Sequence, residues 1–107
     1  MSFIDIITRK VEEVFAIKEE YAVGSHFFYE PIDVNLSNFG EIACIISQKL
    51  SIKNWFLTAY YNYFVFEIDD KYIIVYIAND RIDDTIEVVI RRCNNDQEFA
   101  DMMLMIT

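Results

Sequence analysis

The chain reads as an α+β domain: a small antiparallel sheet of three or four strands with helices packed on one face. Three observations predict this class. Over residues 2–19 the apolar positions recur at helical spacing. From Trp55 onward the period changes to strict alternation. Between two alternating runs stands Asp69-Asp70-Lys71, which has the chemistry of a hairpin turn.

The first helix is expected over residues 2–19. Phe3, Ile7, Val11, Val14 and Phe15, with Ile4 beside them, line one face. Ser2 and Asp5, three residues apart, make a capping box, and Arg9–Glu13 forms an i,i+4 pair on the wet side. Residues 20–35 are punctuated by Gly24 and Pro31, and His26-Phe27-Phe28-Tyr29 fits either a short strand or a packed loop. A second helix is predicted from about 38 to 50, capped by Asn38 and Glu41 and burying Phe39, Ile42, Ile46 and Leu50.

Strands follow. Residues 55–61 could add one, Tyr63–Ile68 and Tyr72–Ile77 form a pair, and Ile86–Arg92 is reached through an acidic loop from Ala78 to Thr85. Asn94-Asn95-Asp96 offers caps for a terminal helix carrying Phe99, Met102, Met103 and Ile106. If Asp69-Asp70 is a two-residue turn, Ile68 pairs with Lys71 and Phe66 with Ile73. One face then collects Phe64, Phe66, Ile68, Ile73, Val75 and Ile77, the core face. The other sets Tyr63 opposite Tyr76, Val65 opposite Ile74 and Glu67 opposite Tyr72, a tyrosine-rich surface edged by acid. Residues 1–107 make one domain, with hydrophobic residues at 54% and aromatics at 16%, ample for one core.

Charge narrows the function. Eighteen acids against nine bases leave −9. Nucleic-acid binding rests on Lys and Arg neutralising phosphates, yet the nine bases are spread from Arg9 to Arg92. Direct nucleic-acid binding and docking on anionic membrane are therefore not expected, whereas a basic protein is the natural complement. Cys44 and Cys93 make no disulfide framework; Cys44 reads as a buried free thiol and Cys93 as a strand end. Met1-Ser2-Phe3-Ile4-Asp5 lacks the basic start of a signal peptide, and no apolar run approaches the ~20 residues of a membrane span, so a cytoplasmic protein is expected.

Catalytic signatures are missing. His26 is the one histidine, so no His pair can be built for zinc, and beside Phe27 and Phe28 it reads as a packed side chain. The loop from Asp80 to Glu87 has four carboxylates but neither the alternate spacing nor the central Gly of a calcium loop. No enzyme, metal or cofactor is expected. Residues 46–60 resemble a helix-turn-helix, with Ser47 as the small residue, Ser51-Ile52 as the turn and Leu57 packing the second helix. That resemblance implies DNA binding, but its recognition helix would present Lys53 and Asn54 followed by Trp55, Phe56 and Tyr60, without basic residues for phosphates beyond Lys53.

The acids concentrate toward the C-terminal side. Residues 67–101 hold ten acids and four bases, giving −6 of the −9. Asp69 and Asp70 occupy one turn, while Asp80, Asp83 and Asp84 occupy the next connection, with Glu87 just beyond. Small, strongly acidic and tyrosine-rich, the whole chain resembles in overall character the immunity proteins of bacterial toxin–immunity pairs, including contact-dependent growth inhibition and bacteriocin systems. The resemblance implies a protein that binds a basic toxin domain, often a nuclease, and covers its active site or substrate-binding surface. Asp69, Asp70, Asp80, Asp83, Asp84 and Glu87 would steer and orient the partner, and Tyr63, Tyr72 and Tyr76 would supply contact area. An alternative keeps the acidity but changes the target: a phage-type nucleic-acid mimic, which needs acids at near-regular spacing along one long face.

Overall fold

The computed structural model describes residues 2–18, 23–29, 39–57, 63–78 and 86–106. Among them are three helices, α1 (Phe3–Ala16), α2 (Phe39–Lys49) and α3 (Asp96–Ile106), and five strands. The strands are β1 (Val23–Tyr29), β2 (Asn54–Leu57), β3 (Tyr63–Ile68), β4 (Lys71–Ala78) and β5 (Ile86–Cys93). They form one antiparallel sheet in the order β1-β5-β4-β3-β2. The α+β class expected from the sequence is present, with two corrections. The sheet has five strands, because both ambiguous segments, His26 to Tyr29 and residues 55–61, contribute edge strands. The helices do not share one face: α1 and α2 cover one, and α3 packs on the other.

Helix α1 begins as its sequence dictates. Ser2 is the N-cap, and its hydroxyl accepts from the Asp5 N–H at 3.1 Å. Phe3, Ile7, Val11 and Val14 are buried, and Phe15 and Ile4 pack partly against them. Arg9 and Glu13 are both exposed. The ion pair that ties α1 to its neighbour is instead Asp5 with Lys49 of α2, at 3.2 Å.

Helix α2 buries Ile42, Ala43 and Ile46, with Leu50 packed partly beneath it; Asn38, the expected cap, lies outside the described residues. Its end is a Schellman turn. Ile52 N–H donates to the Ser47 carbonyl at 2.8 Å, Ser51 N–H to that of Gln48 at 3.3 Å, and Ser51 sits at φ 56°. The chain leaves this turn extended, and residues 54–57 pair with β3. The second helix of the supposed helix-turn-helix is therefore absent at these positions. Alternation decides it: Trp55 and Leu57 face the core while Phe56 faces away, a period that suits a strand and not a helix.

The β3–β4 hairpin has the register expected from a two-residue turn. Ile68 pairs with Lys71, Phe66 with Ile73, Glu67 with Tyr72, Val65 with Ile74 and Tyr63 with Tyr76. Asp69 and Asp70 have φ of 48° and 65°, the two left-handed residues of a type I′ turn. Phe64, Phe66, Ile73, Val75, Val88 and Ile90 make the buried floor beneath α1 and α2. On the far face Tyr63, Val65, Ile74 and Cys93 form a smaller cluster, against which Phe99, Met102 and Met103 of α3 pack. Asn95 caps α3, its side-chain oxygen accepting from Glu98 N–H at 2.9 Å, and the Glu98 carboxylate accepts from Asn94 N–H at 3.1 Å. No helix among the described residues is long and apolar enough to cross a membrane.

Candidate partner-binding surface

The hairpin end of the sheet gathers acid from three parts of the chain. Asp69 and Asp70 stand exposed at the tip. Beside them on the far face is Tyr72, whose hydroxyl donates to Asp96 at 2.7 Å, at the start of α3. That bond to a carboxylate, together with burial and the charges of Asp96, Glu67 and Asp70, pushes the Tyr72 phenol up to about 12. On the helical side of the same end, Glu12 of α1 and Asp69 flank a cleft of ≈ 450 Å³, with Glu67, whose side chain alternation sends to the Tyr72 face, at its edge. Five carboxylates thus lie at one end of the sheet, divided between its two faces: Glu12, Glu67, Asp69, Asp70 and Asp96. Lys53 lines the cleft, and the Lys71 ammonium lies 6.0 Å from the centre of the Phe15 ring.

The opposite end of the far face is different in character. Gly24, Ser25, His26, Tyr76, Glu87, Val89 and Arg91 line a shallow depression of ≈ 340 Å³. Alternation along β1 sends Phe27 into the core and His26 outward, so His26 is exposed and its Nδ1 lies 3.5 Å from a Glu87 carboxylate oxygen. The expectation of a packed histidine is corrected accordingly. A side chain at Gly24 would place its first carbon 3.0 Å from Arg91 Cδ and from the Ile90 carbonyl, so Gly24 is what lets Arg91 lie across the strand. With Arg91 and His26 set against Glu87, this depression lacks the acid excess of the hairpin end.

The nine residues marked from the sequence therefore do not converge on one patch. Asp69, Asp70 and Tyr72 meet at the hairpin end. Glu87 pairs across the sheet with Ala78 at the far end of β4, about 24 Å away at ~3.4 Å per residue. Tyr76 shares that far depression. Tyr63 is only 8% exposed, so its ring is core. Tyr72 is half covered, its ring stacked on Phe99 with centroids 4.3 Å apart and planes 17° from parallel. Asp80, Asp83 and Asp84 lie outside the described residues. Glu12 and Asp96, which sequence separates widely from the tip, join the acidic pole through tertiary packing. Asp96 carried a sequence signal as a helix cap; Glu12 carried only that of a wet helix face.

Two further features stand apart from the acids. Leu104 and Met105, off the packed stripe of α3, are 80% and 77% exposed. Cys44 is free and only half-buried, against the expectation of a buried thiol, while burial and the nearby Glu98 charge push the Cys93 thiol up to about 11. Among the described residues no three His, Cys, Asp or Glu side chains stand close enough to hold a metal ion. No protein-family model matches the chain, and neither a curated protein nor a solved structure matches it.

Proposed function

We propose that this chain is an acidic inhibitor of the immunity type, which binds a basic toxin domain, a nuclease foremost, and covers the surface with which that domain holds its substrate. The observation that carries the reading is the meeting of Glu12, Glu67, Asp69, Asp70 and Asp96 at one end of a molecule with a net charge of −9. Carboxylates there would face the Lys and Arg that otherwise hold phosphates, raising the rate of encounter and fixing orientation. A groove mimic needs acids filed along one long face, and a compact pole suits a single protein contact better.

The test pairs the chain with the product of the gene beside its own. The expected neighbour carries a basic domain that arrests growth when expressed alone. Co-expression of this chain restores growth, and the two proteins elute as one stoichiometric complex. A neighbouring product that is not toxic, or that stays toxic beside an equal amount of this chain, overturns the reading.

A further inference from the structure

Helix α3 is apolar on more sides than its packing uses. Phe99, Met102 and Met103 lie against the sheet. Leu104 and Met105 point away from it, 80% and 77% exposed, on the stripe that continues Ala100 and Asp101 at i,i+4 spacing. The end of the helix, Met102-Met103-Leu104-Met105-Ile106, is apolar all round, a pattern that belongs to a helix covered on every side. Charge indicates what the cover is. Helix α3 carries Asp96, Glu98 and Asp101 and no base. The negative end of its dipole falls beside Leu104 and Met105, whereas α1 meets Arg92 at that position and α2 has Lys49. Glu67 adds a fourth carboxylate on this side of the sheet, opposite Tyr72. Lys53 and Lys71 lie on the other side, and Arg91 leans toward Gly24 on the edge strand β1.

We infer that the outer face of α3 is a docking surface for a basic protein partner, with Leu104 and Met105 entering an apolar depression bordered by Lys or Arg. An apolar centre inside a charged rim is the usual anatomy of a protein interface. The partner's cations meet Asp101, which lies one turn from both apolar side chains, and the carbonyls of the last turn. Methionine adapts its shape to the surface it meets, which suits such an anchor. A second copy of the chain fits less well, because pairing through α3 sets its carboxylates, and a net charge of −9, against their own likeness. That the partner is a toxin domain rests on the inhibitor reading; the surface and the basic, apolar character of its occupant do not.

The experiment titrates the isotopically labelled full chain with a short amphipathic peptide of leucine and lysine, followed by amide chemical shifts at low salt. The same peptide with glutamine for every lysine is the control. Expected are shifts centred on Ala100, Asp101, Leu104 and Met105, with affinity at least about fivefold weaker for the glutamine peptide and for the variant L104Q/M105Q. Both substituted side chains stand in solvent and glutamine is a good helix former, so the variant keeps its thermal midpoint within about 2 °C. No shifts, shifts confined to Asp69, Asp70 or Phe15, or equal affinity of the glutamine peptide or of the variant overturn the inference. So does a dimer in sedimentation that L104Q/M105Q dissolves. A localised peptide response without growth rescue by the wild-type chain keeps the surface and removes the inhibitor reading. Rescue that L104Q/M105Q supplies as well as the wild type, with no peptide response at α3, does the reverse.

Discussion

Helix α1 ends without a base of its own, and the cation that meets its last carbonyls comes from Arg92, 75 to 78 residues further on. Arg92 lies on the core face of β5, in register with Val88 and Ile90, and is 0% exposed. Its Nη1 donates to the carbonyls of Val14 at 3.0 Å, Phe15 at 3.1 Å and also Ile17. These carbonyls help make a buried guanidinium tolerable, and they in turn carry the negative end of the helix dipole. Replacing Arg92 with Met keeps the bulk but strands those carbonyls. R92M is expected to lower unfolding free energy by about 2–4 kcal/mol in urea titration. A loss under about 1 kcal/mol would mean that water replaces the guanidinium at no great cost. From sequence, Arg92 was one of nine scattered bases; the structure removes it from the surface altogether.

Elements are held in place by their ends as much as by their faces. Asp69 and Asp70 both occupy left-handed backbone that L residues adopt at a cost, and aspartate is one of the few that tolerates it. Asn-Gly is the pair best suited to this turn, so D69N/D70G is expected to raise stability by about 1 kcal/mol, read as a higher thermal midpoint. The same double substitution removes two carboxylates from the acidic pole and is expected to weaken binding of a basic partner. Opposite signs for stability and binding would separate the turn's structural role from its surface role. A lowered midpoint would contradict the type I′ geometry. Helix α3 shows why the tyrosine face is not simply open. Phe99 stacks on Tyr72 and meets Phe56 edge-on at 6.4 Å, so one end of the sheet's second face is partly covered while the Tyr76 end stays accessible.

At the scale of the molecule, a charge of −9 works against compactness while favouring a cationic partner. The Asp5–Lys49 pair links α1 to α2 across an exposed junction, where screening leaves it little strength, though the Ser2 hydroxyl first and Lys49 second hold the Asp5 carboxyl below its usual range. Self-repulsion should therefore dominate the salt response. Raising ionic strength from about 0.01 M to about 0.15 M, which shortens the screening length from about 30 Å to about 8 Å, is expected to lift the thermal midpoint by roughly 2–5 °C. A midpoint that falls with added salt would mean that local ion pairs outweigh the net charge.

Apolar stripes and cap residues located α1, α2 and α3, although α1 ends at Ala16, with Ile17 extended, short of the expected residue 19, and the turn pair Asp69-Asp70 determined the β3–β4 register down to Tyr63 opposite Tyr76. What the chain could not disclose locally was which partner each surface would meet. Whether residues 23–29 and 54–57 became edge strands depended on β5 and β3 offering free edges. Whether α3 joined the other helices depended on an amphipathic second face that still lacked cover. The acidic pole, the cleft beside it and the burial of Arg92 arise from residues far apart in sequence. Charge and packing act through space, and only the folded chain fixes those distances.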